Sequence, residues 1–223
     1  MDLLGAIIFD FDGVLLESEF EGNRMLAELL TEFGHRHTVE DALAHYVGLA
    51  GPQFFAAIEQ RIGGPLPPEF YERRKEQSVR ALADGVRAVV GAVEFVRSLP
   101  PDLPKAVASS SSTHWLSGHL ANLGLVDAFG PHVYSGREHV ERSKPAPDLY
   151  LHAARELGVA IERCVILEDS ETGVTGALAS GAVVIGLAAG AHCGEGHADR
   201  LRGLGVEHVA SSFDEVRKLL ELG

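Results

Sequence analysis

Apolar residues are arranged in two ways along the chain. Residues 3–9 (LLGAIIF) form an unbroken apolar run, the pattern of a strand covered on both faces. From residue 85 onward, short apolar runs recur at 105–108, 132–134, 164–167, 182–185 and 208–209. Between them the apolar spacing turns helical at 88–99, 113–123, 147–158, 172–180, 197–204 and 212–222. Each helix is long enough to carry the chain from one strand to a parallel neighbour. The alternation predicts an α/β fold, a Rossmann-like layer built on a parallel sheet.

Residues 17–84 have another texture. Helical periodicity runs through 20–33, 39–46, 53–61 and 68–83 without a strand signal, interrupted by the breaker cluster Gly63-Gly64-Pro65-Leu66-Pro67-Pro68. This stretch reads as an all-helical cap domain, 17–84, inserted in a discontinuous core of 1–16 and 85–223. It follows the first strand directly, so it is expected above the carboxyl ends of the strands, as a lid with hinges near 16–18 and 83–86.

Composition narrows the class. The chain has 223 residues, 46% hydrophobic and 23% charged, the balance of a globular protein. Nineteen Lys and Arg against 32 Asp and Glu give a net charge of −13, so no general field gathers nucleic acid or an anionic membrane. Any phosphate must be held locally. Cys164 and Cys193 are too few for a disulfide framework, the acidic N-terminus does not resemble a secretory leader, and the run 181–191 is too short to span a bilayer. A cytoplasmic monomer is expected.

Acid at the end of a buried strand is expensive, and here it occurs twice. Asp10 and Asp12, in Phe9-Asp10-Phe11-Asp12-Gly13, close the first apolar run, and Glu168 and Asp169 close the run at 164–167. In a parallel sheet both ends lie at one edge, where the four carboxylates can share a hard cation, Mg²⁺ before others. Asp12-Gly13 is equally suited to an Asx turn, and Glu168-Asp169-Ser170 to a helix cap. Ser109-Ser110-Ser111-Ser112-Thr113 ends another strand in hydroxyls and backbone N–H groups, which suits either an anion cradle or an ordinary helix start. Lys144 stands before Pro145, in extended geometry that can aim its ammonium into the cleft or into solvent. Taken in order, a nucleophile, a phosphate clamp and a metal site make a set suited to phosphoryl transfer.

Asp10-Phe-Asp12-Gly-Val-Leu, Ser109, Lys144-Pro-Ala-Pro-Asp148 and Leu167-Glu168-Asp169-Ser170 resemble the four ordered motifs of the haloacid dehalogenase superfamily, in wording closest to its beta-phosphoglucomutase-like phosphatases. The resemblance covers essentially the whole chain, small helical cap included. It implies that Asp10 is a nucleophile forming an aspartyl-phosphate and that Asp12 is the acid and base. It implies that Ser109, with Ser110, and Lys144 bind the transferring oxygens, and that Asp10, Asp12, Asp169 and Glu168 make the metal site, Glu168 as ligand or as supporting partner. Haloalkanoate-cleaving members lack a carboxylate at the position of Asp12, so dehalogenation is not expected.

The mutase branch carries a histidine early in the cap and basic residues after a cap glycine. Here those stretches read Glu19-Phe20-Glu21-Gly22-Asn23 and Val47-Gly48-Leu49-Ala50-Gly51-Pro52-Gln53. The expectation is therefore Mg²⁺-dependent hydrolysis of small phosphorylated metabolites, sugar or polyol phosphates. The alternatives are a beta-phosphoglucomutase-type mutase or a non-catalytic phosphate-binding module. Gln53 and His45, with Asn23, Tyr46, Phe54 and Arg73-Arg74-Lys75, are the cap candidates for touching the leaving group, although the basic cluster also fits a solvated helix face and Phe54 fits cap core. A zinc reading rests on His192-Cys193 and His197, whose spacing is poor.

Overall fold

The computed structural model of the protein describes residues 4–47, 49 and 51–221. Leu3, Gly48, Ala50 and Leu222, which enter the readings above, lie outside the described residues. Six strands form one sheet: β1 (Ala6–Phe9), β2 (Lys105–Ser109), β3 (Val133–Ser135), β4 (Cys164–Glu168), β5 (Val183–Leu187) and β6 (His208–Ala210), in the order β3-β2-β1-β4-β5-β6. Every strand pairing among the described residues is parallel. The protein has the expected α/β, Rossmann-like fold.

The described backbone divides into two compact units, one of the residues up to Glu17 together with those from Arg87 onward, the other Ser18–Val86. The first contains the sheet and the helices α5 (Ala92–Ser98), α6 (Thr113–Leu123), α7 (Val126–Phe129), α8 (Asp148–Glu156), α9 (Glu171–Ser180), α10 (His197–Gly203) and α11 (Phe213–Leu219). The second is all helical: α1 (Ser18–Glu32), α2 (Val39–Tyr46), α3 (Gly51–Ile62) and α4 (Pro68–Asp84).

In the sheet unit β1 is covered on both faces, as its apolar composition requires. Ala6 and Ile8 pack with Tyr150, Ala153, Ile166 and Val174, while Phe9 meets Phe95 and Phe129 edge to face on the other side. Strand order reverses at β1: the chain passes from it to β2 and β3 on one flank, then returns to β4, β5 and β6 on the other. Residues following β1 and β4 therefore leave neighbouring strand ends at a topological switch point, the usual place for a ligand site in such sheets.

In the helical unit Leu26, Leu29, Leu30, Tyr46, Ile58 and Phe70 form a core of their own. A capping box between Thr38 and Asp41 starts α2. Among the described residues, no helix is long and apolar enough to cross a membrane.

The helix expected over 88–99 begins only at Ala92, because the residues before it pair with the chain leaving β1. The Glu17 N–H donates to the Arg87 carbonyl at 3.0 Å, the Val89 N–H donates to the Leu15 carbonyl at 3.1 Å, and Leu16 and Ala88 form an antiparallel bridge. The short α7 has too few residues to show periodicity.

Candidate active site

Asp10 directly follows β1, and its N–H donates to the Leu167 carbonyl at 2.9 Å, so the pairing of β1 with β4 extends one residue past the strand. The chain then turns tightly, with the Gly13 N–H on the Leu16 carbonyl at 2.7 Å. Gly13 has φ +89°, a conformation that costs other residues energy. A Cβ there would collide with the Asp169 carboxylate, so glycine is also required by close approach.

Lys144, from the segment before α8, reaches the same place. Its Nζ lies 2.5 Å from Asp10 Oδ1 and 2.8 Å from Glu168 Oε2, with its side chain only 4% exposed. Burial alone would lower the Lys144 pKa, but Asp10 and Glu168 outweigh it and hold the ammonium well above its usual range. Asp10 is displaced upward, first by burial, then by the neighbouring Glu168, with Lys144 opposing.

Glu168, the last residue of β4, is fully buried and has both oxygens engaged. Oε2 accepts from Lys144 and, at 2.6 Å, from the Tyr150 hydroxyl; Oε1 accepts from Ser170 Oγ at 2.8 Å and from the Ser170 and Asp169 N–H groups. Burial would raise the Glu168 pKa, but Lys144 and these donors bring it below the usual value. Ser170 also caps α9 through the Gly173 N–H at 3.0 Å. The cap and the carboxylate assembly are thus one structure.

Asp169 is 2% exposed. Its Oδ2 lies 2.8 Å from His192 Nε2, and its carbonyl oxygen lies 2.8 Å from His197 Nε2, which must carry the proton because a carbonyl only accepts. The loop after β5 is itself anchored by Glu17, buried, whose carboxylate accepts the Ala191 N–H at 2.9 Å.

Asp10, Glu168 and Asp169 each offer an oxygen within 4.8 Å of the others. Three buried acids crowd one ammonium, and burial with the Glu168 charge already pushes the Asp10 carboxyl up, the sign of a site short of positive charge. A hard divalent cation with oxygen ligands fits both the charge and the donor set.

Asp12 sits beside these groups and is held by different donors. Ser111 Oγ at 2.6 Å and Ser109 Oγ at 3.1 Å donate to its Oδ2, and Trp115 Nε1 donates to its Oδ1 at 3.0 Å. Ser109 also accepts the Ser111 N–H, so its hydroxyl serves Asp12 and the local turn. Ser110 is exposed, with Oγ 3.5 Å from Ser143 Oγ.

Cap candidates behave individually. Gln53 and His45 are exposed, and His45 is placed between the Asp41 carbonyl and Arg61. Asn23 is buried and donates to the Glu19 carbonyl, and Tyr46 is buried with its hydroxyl 3.0 Å from His37 Nε2. Phe54 packs against the cap core. Arg73 pairs with Glu32 on the solvated face, whereas the Arg74 guanidinium is desolvated, which brings its pKa down to about 10, and lies over the Phe54 ring. Of the basic cluster, Arg73 thus fits the solvated-face alternative, while Arg74 turns inward.

His192, Cys193 and His197 do come together, within 4.8 Å. The two imidazoles are engaged on Asp169, and burial followed by the Asp169 charge pushes the Cys193 thiol up to about 12. Sequence reasoning missed Glu17, Trp115, Tyr150 and the bracing by His192 and His197, all of which act on partners distant in the chain.

The sequence profile of the haloacid dehalogenase-like hydrolases matches residues 4–181. Fructose-1-phosphate phosphatase YqaB of Escherichia coli (strain K12) is 32% identical over 177 residues, 79% of this chain and 92% of that protein. Hexitol phosphatase A of the same organism is 30% identical over 185 residues, 81% of each. A HAD family hydrolase from Deinococcus radiodurans R1, solved with bound phosphate and sodium, superposes with a TM-score of 0.87 at 34% identity, covering 99% of this chain and 96% of that one.

Proposed function

The chain belongs to the haloacid dehalogenase-like hydrolases, and on that premise we propose that it is a phosphoric monoester hydrolase releasing phosphate from small sugar or polyol phosphates with Mg²⁺. The observation that carries the reading is Lys144 bridging Asp10 and Glu168 beside Asp169, within a shell almost closed to water. Such a group is costly to fold, and a working role for its carboxylates together with a bound cation accounts for it.

Asp10 supplies the attacking carboxylate oxygen. It forms a bond to phosphorus as the bond to the leaving alcohol breaks, giving an aspartyl-phosphate. Asp12 delivers a proton to that alcohol, then takes one from the water that attacks phosphorus and restores Asp10. Lys144 offsets the negative charge of the nucleophile and of the phosphoryl oxygens, in a dry setting where a fixed cation counts for most. Glu168, with its oxygens taken, orients Lys144. Asp10, Asp169 and the Asp12 backbone carbonyl would hold Mg²⁺, which when bound screens the phosphoryl charge.

Assaying Asp10→Asn against wild type with a generic phosphate ester and Mg²⁺ tests this. Turnover should disappear in the variant, by at least about a thousandfold. Tight phosphate binding without turnover in the wild type would instead indicate a binding module. Sugar-phosphate isomerisation faster than hydrolysis would indicate a mutase.

A further inference from the structure

Trp115 is the only tryptophan in the chain. It lies in the first turn of α6, and its indole N–H, a donor with no accepting capacity, bonds Asp12 Oδ1 at 3.0 Å across 103 residues of sequence. The two serines on Oδ2 hold the carboxylate through hydroxyls, whose hydrogens turn about the C–O bond to suit an acceptor. Of these donors the indole is the rigid one.

Its orientation is set from behind. His119, one turn further along α6, meets the indole edge to face with ring centroids 4.2 Å apart. His119 is fully buried, and among the described residues neither ring nitrogen has a hydrogen-bond partner. A buried imidazole left unsatisfied is a standing cost to the fold, borne at the residue that fixes the plane of Trp115.

We propose that Trp115 is a positioning residue for Asp12, its N–H fixing the rotation of the carboxylate from which the leaving-group oxygen receives its proton. The role rests on the phosphatase reading and adds to it a residue that touches neither substrate nor phosphoryl group.

Because kcat/KM reports only the steps up to transfer onto Asp10, a misplaced Asp12 lowers it only for esters whose leaving group needs a proton. For an alkyl phosphate, whose alkoxide leaves poorly, Trp115→Phe should lower kcat/KM by at least about tenfold, the factor expected for a lost hydrogen bond to a charged group. For p-nitrophenyl phosphate, whose phenolate leaves unaided, kcat/KM should stay within about twofold. Phenylalanine keeps an aromatic face against His119, and an equal loss on both esters, or none on either, would overturn the proposal.

A second measurement leaves Trp115 in place and is read on Asp12→Asn whose remaining ¹H–¹⁵N spectrum keeps the dispersion of the folded wild type. The single indole N–H gives one ¹H–¹⁵N resonance, which should move upfield in Asp12→Asn as the charged acceptor is lost; an unmoved resonance would also overturn the proposal. If the wild type hydrolyses neither ester, the phosphatase reading is what fails, and the resonance then decides the Trp115–Asp12 contact by itself.

Discussion

His192 Nε2 lies 2.8 Å from Asp169 Oδ2, with both side chains almost entirely shielded from water. His197 grips the carbonyl of the same aspartate, and Glu17 anchors the loop that carries His192. Asp169 is therefore fixed from three directions before any ion arrives. Ordering entropy already spent in folding need not be lost on binding.

A consequence is measurable by melting. Mg²⁺ at about a hundred times its dissociation constant should stabilise the wild type by about 2.7 kcal/mol, and a chelator should remove the gain. Asp169→Asn should lose most of this increment. An undiminished shift in the variant would take Asp169 out of the cation site.

Lys144→Met removes the one ammonium between two buried carboxylates. Breaking a buried pair from one side costs about 3–5 kcal/mol, and denaturant unfolding should show a loss of that order. Asp10 already has its pKa raised, first by burial and then by Glu168. An acid whose folded pKa exceeds its unfolded one gains stability as pH falls through the folded value, so the variant's deficit should shrink on acidification. A deficit that grows toward acid would contradict the pairing.

His119→Leu should stabilise the protein at neutral pH by about 1–3 kcal/mol, because it replaces a buried imidazole whose nitrogens have no hydrogen-bond partner among the described residues with an apolar group of similar size. Burial lowers the His119 pKa below 6.5. Below pH 6.5 the unfolded chain binds a proton that the folded one resists, so stability contributed by neutral His119 is present above that pH and is lost as pH falls through the folded value. The variant should lack this component of the acid slope, as read by urea unfolding on either side of pH 6.5. An unchanged slope would show that the imidazole finds a partner in solution.

Gly173→Ala opposes two effects of different size. Alanine normally favours a helix by up to about 1 kcal/mol over glycine. At this position the added methyl would overlap the Glu168 carboxylate, and overpacking costs about 1–3 kcal/mol. The clash should win, lowering the melting temperature and, by moving the partner of Lys144, slowing phosphate release. A stabilised, fully active variant would show that Glu168 can shift without consequence.

What is legible in the sequence is whatever local rules contradict. Asp10 and Glu168 stand out because acid at the end of a buried apolar run is costly and occurs twice, and the runs at both places are strands, β1 and β4, that pair directly. The limits of α2 and α6 coincide with the expected 39–46 and 113–123, because Thr38 and Ser112 cap their starts and left-handed Gly124 ends α6. Trp115, Tyr150 and Glu17 leave no such trace. Each obeys the propensities of its own segment, and its role lies in one hydrogen bond to a distant partner, 174 residues away for Glu17 and Ala191. Ser109 shows the same limit from the other side: a hydroxyl at a strand end announces polarity, while only the fold reveals that it is directed at Asp12.

The rung between Glu17 and Arg87 gives the architecture a kind of modularity. Chain leaves the sheet and returns to it through neighbouring hydrogen-bonded residues, so whatever lies between is, to the strands, a hairpin of arbitrary length. Closure cost grows only with the logarithm of that length, about 0.6 kcal/mol per doubling. Helices could be traded here for a longer bundle or a bare turn, by recombination or by a protein engineer, with the hydrogen-bonded rung left as it is.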